Sequence, residues 1–261
     1  MAALPFDFPT FRLDQKLALV TGAGEGIGAA VAMTFAQAGA DVVIVARTEE
    51  KLRAVARQAT EIGSGNVTVA PADVTDSEAM KSIIESLPRL DILVNNAGTN
   101  FPGPFVEVSE EQLDAMLLLN VKAYFTVAQV AVKKMLASNH TAQSTASVIN
   151  ISSQMGHVGA PDRTAYCMTK HAVEGLTKAM AVELAAQHIR VNSIGPTFID
   201  TPLIRRIVDT PEKHAALVAR IPIGHLGRVE DIASAALYLA SPASAMVTGT
   251  CMLVDGGWTA Q

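Results

Sequence analysis

The sequence predicts an α/β fold, a single-domain doubly wound parallel sheet covered by helices on both faces. Three observations predict it. Short apolar runs alternate with helical patterns along the whole chain. The runs are apolar on both faces, as strands buried inside a parallel sheet are. The first run also leads through a glycine-rich turn into a helix.

Strand and helix then alternate in order. "KLALVTG" from Lys16 reads as the first buried strand, and Ile27, Ala30, Val31, Thr34, Phe35 and Ala38 form the apolar stripe of the helix behind it. "ADVVIVA" from Ala40 is the second strand and Glu49 to Glu61 the second helix. "NVTVAPADV" from Asn66 is followed by a helix around Asp76 to Leu87, and "LDILVNNAG" from Leu90 is the fourth strand. A helix near Asn120 to Ala137 precedes the strand "ASVINIS" from Ala146. A helix carrying Tyr166 and Lys170 and the strands "IRVNSI" from Ile189 and "CMLVDGG" from Cys251 complete the set.

Composition narrows the function classes. Of 261 residues, 49% are hydrophobic and 17% charged, with a net charge of -5. That excludes a disordered chain and offers no basic surface for nucleic acid. No repeat, low-complexity tract or linker interrupts the chain, so one domain is expected over 1–261. Cys167 and Cys251 are the only cysteines, C-x-x-C is absent, and the six histidines form no ligand cluster with cysteine or carboxylate in the sequence. Neither a disulfide framework nor a metal site is expected, and a reducing cytoplasm is the default. "MAALPFDFPTFRLD" lacks the pattern of a secretory signal, and no apolar run approaches the roughly 18 residues of a membrane span.

The turn "VTGAGEGIGAA" leaves the backbone bare at Gly22, Gly24, Gly26 and Gly28, with Glu25 and Ile27 between them. A pyrophosphate approaches a helix N-terminus through such a turn. The spacing G-x-x-x-G-x-G differs from the general dinucleotide fingerprint, and a plain tight connection is the other reading. The second strand ends "IVARTEE". Ala46 stands where an acid would accept from a ribose 2′-hydroxyl, and Arg47 suits a 2′-phosphate. NADP(H) is therefore expected rather than NAD(H). Alternatively, Arg47 pairs in solvent with Glu49 or Glu50, two carboxylates that would oppose a phosphate.

"TAYCMTKHAVEGL" places Tyr166 and Lys170 one helical turn apart on one face. A free phenol titrates near ~10, and a cation about 4 Å away offers up to roughly 4 kcal/mol in favour of phenolate at an effective dielectric near ~20. The pKa of Tyr166 is therefore expected to fall. A Tyr-x-x-x-Lys pair also occurs on ordinary surface helices. Upstream, Ser152 and Ser153 follow the carboxyl end of a strand, where open α/β sheets bind ligands. A hydroxyl there can hold a substrate oxygen while tyrosine exchanges the proton.

"TGAGEGIG", "NNAG" at Asn95 to Gly98, Asn120 in "LLLNVKA", the serine loop, "YCMTK" and "IRVNSIGP" occur together in this order. Over about residues 12–258 the chain resembles the short-chain dehydrogenase/reductase family, whose sheet is of the Rossmann type. The resemblance implies that Ser153, thirteen residues before Tyr166, orients the substrate oxygen, and that Tyr166 is the acid/base. It implies that Lys170 lowers the tyrosine pKa and binds the nicotinamide ribose, and that Asn120 holds a water in the proton relay. Asp73 and Val74 would contact adenine; Asn95, Ala97 and Gly98 would line the cofactor. Pro196, Thr197, Ile199 and Thr201 would clasp the carboxamide. Asp73 read alone would equally cap the helix after "ADVTD". Two departures stand out: Pro196-Thr197 replaces Pro-Gly, and Glu25 stands where some NADP-preferring members carry a basic residue. They leave the cofactor preference on Arg47.

Residues 197–220 are expected to form a substrate lid carrying Phe198, Leu203, Ile204 and Ile207, or else to be plain packing. Gln154, His157 and Asn100 lie within reach of a polar substrate, and Cys167 reads as packing. The apolar "ASAMVTGTCMLVDGGW", ending at Trp258, is expected at a subunit contact, because the family is commonly tetrameric. The expectation is an NADP(H)-dependent oxidoreductase acting on a ketone, a ketose or polyol, or a 3-oxoacyl compound. The rival is a catalytically silent dinucleotide sensor, which the presence of Ser153, Tyr166 and Lys170 disfavours. An epimerase or dehydratase would need a longer C-terminal substrate domain.

Overall fold

Runs of Val, Ile, Leu and Ala without polar alternation must be covered on both sides, and in the computed structural model they are. The structure describes residues 9–62, 65–138, 140–141, 144–208 and 210–261, without the side chains of Leu203, Arg206 and Ile207. The first eight residues, read above for a signal, lie outside the described residues. The strands are β1 (Leu17–Thr21), β2 (Asp41–Ala46), β3 (Val67–Pro71), β4 (Ile92–Asn95), β5 (Ala146–Ile151), β6 (Ile189–Pro196) and β7 (Cys251–Val254). They form one sheet in the order β3-β2-β1-β4-β5-β6-β7, with parallel pairing throughout. Val20 of β1 lies between Ile44 of β2 and Val94 of β4. The strand order reverses there, and a crevice opens beyond the carboxyl ends of β1 and β4.

Side-chain alternation divides each strand between two cores. Val20, Ile44, Ile92, Ile149 and Ile194 pack with α1 (Gly26–Gln37), α2 (Glu49–Ile62) and α9 (Val229–Ala240). Leu19, Val43, Leu93, Val148 and Val191 pack on the other face with α3 (Ser77–Ser86), α5 (Ala123–Leu136) and part of α6 (Thr164–Leu184). All seven expected strands are present; α9 is an addition to the expected elements.

The helix expected near Asn120 begins earlier. α4 (Glu110–Leu117) runs through a π turn, Leu118–Lys122, into α5. Its start is fixed by a capping box: Gln112 N donates to Ser109 Oγ and Ser109 N to Gln112 Oε1, both at 3.2 Å. The continuous helix Glu110–Leu136 contains an 18-residue window with the mean hydropathy, 1.5, of a membrane span, although polar residues such as Asn120, Lys122 and Gln129 keep it from being one apolar run. Tyr124, Val127, Ala131 and Met135 are nevertheless buried against the sheet, as in a core helix. The 197–220 segment holds two short helices, α7 (Pro202–Ile207) and α8 (Pro211–Val218). Each starts with a threonine cap followed by proline at the first helical position.

Candidate active site

A cleft of about 740 Å³ opens at the carboxyl edge of the sheet. At one end lies the first glycine turn. Gly22 has φ +65°, and a Cβ there would stand 2.9 Å from Ala97 Cα; one on Gly28 would stand 2.5 Å from Gly22 O. The turn wraps around Asn96, whose Nδ2 donates to Thr21 O at 3.0 Å and Gly22 O at 3.1 Å. Gly28 serves this packing and does not itself line the cleft, whereas Gly22, Gly24, Glu25, Gly26 and Ile27 do. Glu25 makes no side-chain cap and the first turn of α1 holds no acid. Its orphan N–H groups are thus free for an anion.

Arg47 is exposed and lines the cleft beside Ala46, Thr48 and Lys51. Glu49, considered above as its partner, is bonded to Arg53 instead at 2.5 Å. Glu25 is engaged by Lys51 at 2.5 Å. Such an exposed pair adds little stability, but it places a cation beside Glu25, one of the acids that argued against a phosphate. Asp73 and Val74 also line the cleft. Asp73 Oδ1 accepts from Thr75 N and Oγ1 at 2.9 and 2.7 Å. The backbone bond leads in holding this carboxyl below its usual range. The cap of α3 is Asp76, which accepts from Ala79 N at 3.0 Å.

Asn95, expected to line the cofactor, faces away from the cleft. Its Nδ2 donates to Asn150 Oδ1 at 3.1 Å and Tyr124 O at 3.3 Å inside the sheet–helix interface. Successive residues leaving a strand point to opposite sides, so Asn96 takes the cleft position together with Ala97 and Gly98.

At the other end, Lys170 Nζ donates to Ile151 O at 2.9 Å, an oxygen that also accepts from Tyr124 Oη at 2.9 Å. The ammonium sits 5.6 Å from the centre of the Tyr166 ring. Ser153 Oγ donates to Gln154 Oε1 at 2.7 Å and accepts from Met155 N at 3.1 Å. Ser153, Tyr166 and Lys170 all line the cleft. Burial pushes the Tyr166 phenol up to about 12, against the Ser153 hydrogen bond and the Arg163 charge. This corrects the expected fall: desolvation outweighs the neighbouring charges, and Tyr166 is a protonated acid at neutral pH. Burial also brings Lys170 down to about 8, opposed by the charge of Glu174.

Asn120 is fully buried on the π turn and outside the cleft lining. Its Oδ1 accepts from Thr99 N at 2.9 Å, and its Nδ2 donates to Thr99 O at 2.8 Å and Thr169 Oγ1 at 3.2 Å. Both amide protons are therefore committed to structure. The relay water that the resemblance implied would be held by an acceptor oxygen of Asn120 and not by its amide protons.

Pro196, Thr197, Ile199 and Thr201 line the cleft with Phe198 and Ile204, while Leu203 and Ile207 lie outside the described side chains. In the apolar segment expected at a subunit contact, Met246 and Leu253 are exposed while Trp258 is buried. It packs on the Phe198 ring at 5.7 Å and under the Arg220 guanidinium at 4.3 Å. His157 turns to Glu174, 3.6 Å away, and Cys167 is buried outside the cleft lining. Donor atoms of His157, Glu174 and Cys251 do come within 4.8 Å of one another, a grouping the linear sequence did not show. Burial pushes its thiol up to about 12, and both Glu174 oxygens accept from Ser193 Oγ at 3.0 and 2.8 Å. A protonated thiol is a poor metal ligand.

Among the described residues, four buried side-chain atoms lack a hydrogen-bond partner: Asn100 Oδ1, Ser152 Oγ, Arg163 Nε and Thr197 Oγ1. All four residues line this cleft. An unmet buried polar atom costs about 1–3 kcal/mol. Their concentration here fits a site finished by a polar ligand.

A family model described as enoyl-(acyl carrier protein) reductase matches residues 22–259. The chain belongs to the short-chain dehydrogenase/reductase family. Within that family it is 38% identical to the 3-oxoacyl-[acyl-carrier-protein] reductase of Thermotoga maritima, covering 94% of this chain and 98% of the relative. It is 37% identical to the L-xylulose reductase of Bos taurus, over 95% of this chain and 98% of that one. Among solved structures, a gluconate 5-dehydrogenase from Burkholderia cenocepacia in complex with NADP and tartrate superposes with a TM-score of 0.88. It is 36% identical, over 96% of this chain and 98% of that one. Members of this family named here are oxidoreductases acting between C=O and CH–OH.

Proposed function

We propose that this single-domain protein is an NADP(H)-dependent oxidoreductase that interconverts a carbonyl and a secondary alcohol on a small ketone, ketose or polyol, or 3-oxoacyl substrate. The observation that carries the reading is the joint placement of Ser153, Tyr166 and Lys170 in one cleft with a bare glycine turn at its far end. NADP in the Burkholderia structure and the carbonyl substrates in the relatives' names support it.

NADPH, when bound, supplies the hydride to the carbonyl carbon. The α1 turn, Gly22 to Ile27, receives the pyrophosphate, and Arg47 with Lys51 receives the 2′-phosphate. Asp73 and Val74 border the adenine, and Ala97 and Gly98 the neighbouring ribose. Lys170 holds the nicotinamide ribose, and Pro196, Thr197, Ile199 and Thr201 hold the carboxamide side. Tyr166 Oη donates the proton to the carbonyl oxygen, which Ser153 Oγ also hydrogen-bonds. Asn120 holds the π turn and the 99–100 segment in place for this. Residues 197–220 act as the lid. A cytoplasmic homotetramer is part of the reading: Phe125 and Leu136 on α5 and Met168 and Val182 on α6 leave apolar surface exposed for like copies.

The test is NADPH and NADH absorbance with a panel of ketoses, 3-oxoacyl esters and aryl ketones. Oxidation of NADPH in preference to NADH by at least one class is expected; no oxidation of either by any class would overturn the reading.

A pH dependence follows from Lys170. Its pKa is lowered from 10.5 to about 8, so the cation is present below that value and lost as pH rises through it. Reductive kcat/KM is expected to stay level up to about pH 8 and then to fall about tenfold per unit. A profile level to pH 9.5 would show that the charge is not needed.

A further inference from the structure

Arg163 is the member of the four unpartnered groups that carries a charge. It begins α6 three residues before Tyr166, and its side chain makes no cap hydrogen bond. The residue before it, Asp162, is in the left-handed region at φ +59°. A non-glycine residue there is uncommon and persists where the surroundings hold it. Here they do: Asp162 O accepts from Gly103 N at 3.1 Å and from Arg163 Nη1 at 2.9 Å. The first bond ties the turn to the loop that carries Asn100 and Phe101, both lining the cleft. The turn therefore presents a guanidinium to the same space as the Tyr166 hydroxyl.

That guanidinium is half-buried and its Nε has no partner. Among the described residues no carboxylate lies within ion-pair distance of it. Burial opposes its charge, with Asp162 only partly compensating. A partly desolvated cation left unpaired is costly, and an arriving anion removes that cost. The other cleft cations are assigned: Arg47 and Lys51 sit at the far end, and Lys170 is bonded to Ile151 O. One unpaired cation on the substrate side matches one negative charge, and a planar guanidinium matches a carboxylate.

We infer that Arg163 is the substrate-anchoring residue and that the substrate class is a polyhydroxylated hydroxy acid and its oxo acid. Asn100 Oδ1 and Ser152 Oγ then offer partners to its hydroxyls. This rests on the carbonyl–alcohol chemistry proposed above and narrows it to an anionic substrate.

Matched pairs test it. With NADP⁺, D-gluconate against D-glucitol and D-threonate against D-threitol differ in a terminal carboxylate against a terminal carbinol. Wild type is expected to prefer the acid of at least one pair by about tenfold or more in kcat/KM. Arg163→Gln is expected to lose that preference through KM, by about 10–100-fold on the acid, with a smaller change on the polyol. Arg163→Lys should recover part of it. A preference for the polyols in wild type, or equal losses on acid and polyol in Arg163→Gln, would overturn the anchor. Calorimetric titration of the NADP⁺-saturated protein with D-gluconate and D-threonate reads the same contact without turnover. Binding of either acid that Arg163→Gln leaves unchanged, or no binding of either by wild type, would overturn it too. Wild type that turns over neutral ketones while failing these tests would retain the reductase reading and lose only the anchor.

Discussion

Tyr166→Phe is expected to lower kcat/KM by about 10³-fold while NADPH affinity stays within about threefold of wild type. The change removes one hydroxyl and keeps the ring that lies 5.6 Å from the Lys170 ammonium. Because burial lifts the phenol to about 12, wild-type Tyr166 carries its proton throughout the working range and serves as the acid in reduction. Phe supplies none, and Ser153 cannot replace it, since an aliphatic hydroxyl is a far weaker acid than a phenol and can hydrogen-bond the carbonyl oxygen without giving up its proton. Single-turnover oxidation of NADPH, with cofactor affinity followed by fluorescence, separates the two effects. Turnover within tenfold of wild type would reject Tyr166 as the donor.

Arg47→Asp is expected to lower kcat/KM with NADPH by about 100-fold and to raise it with NADH several-fold. A charge-assisted hydrogen bond contributes about 1.5–3 kcal/mol, and the aspartate adds repulsion of the 2′-phosphate while accepting from a 2′-hydroxyl. Lys51→Ala should weaken NADPH binding as well, because it frees the Glu25 carboxylate now held at 2.5 Å. Steady-state kinetics with both cofactors measure this. Equal changes for the two would remove Arg47 from the phosphate site.

The strands were legible because parallel burial leaves a plain mark: unbroken Val and Ile runs such as "DVVIVA", all within β2. The glycine turn and the Ser153, Tyr166 and Lys170 set were legible from spacing, and the structure gathers them in one cleft. The start of α4 was also written, in "SEEQ", as a capping box. Other features depend on quantities the chain order does not carry. Whether Asn95 or Asn96 faces the cleft is a matter of strand parity at the last residue of β4. Lys51 meets Glu25 across 26 residues, so the acid looked unopposed. The direction of the Tyr166 shift turns on desolvation against charge, which needs burial and a distance. Asn120 keeps its place, but three hydrogen bonds tie its side chain to Thr99 and to Thr169 on α6. Arg163 had no motif to mark it; only the left-handed turn at Asp162 brings it into view.

The most direct measurement is a crystal structure of the protein with NADP and a carbonyl or alcohol substrate. The account predicts Tyr166 Oη within about 2.8 Å of the substrate oxygen, beside the nicotinamide, with the 2′-phosphate between Arg47 and Lys51. A Tyr166 hydroxyl turned away from the nicotinamide, with the substrate oxygen held by other groups, would contradict it.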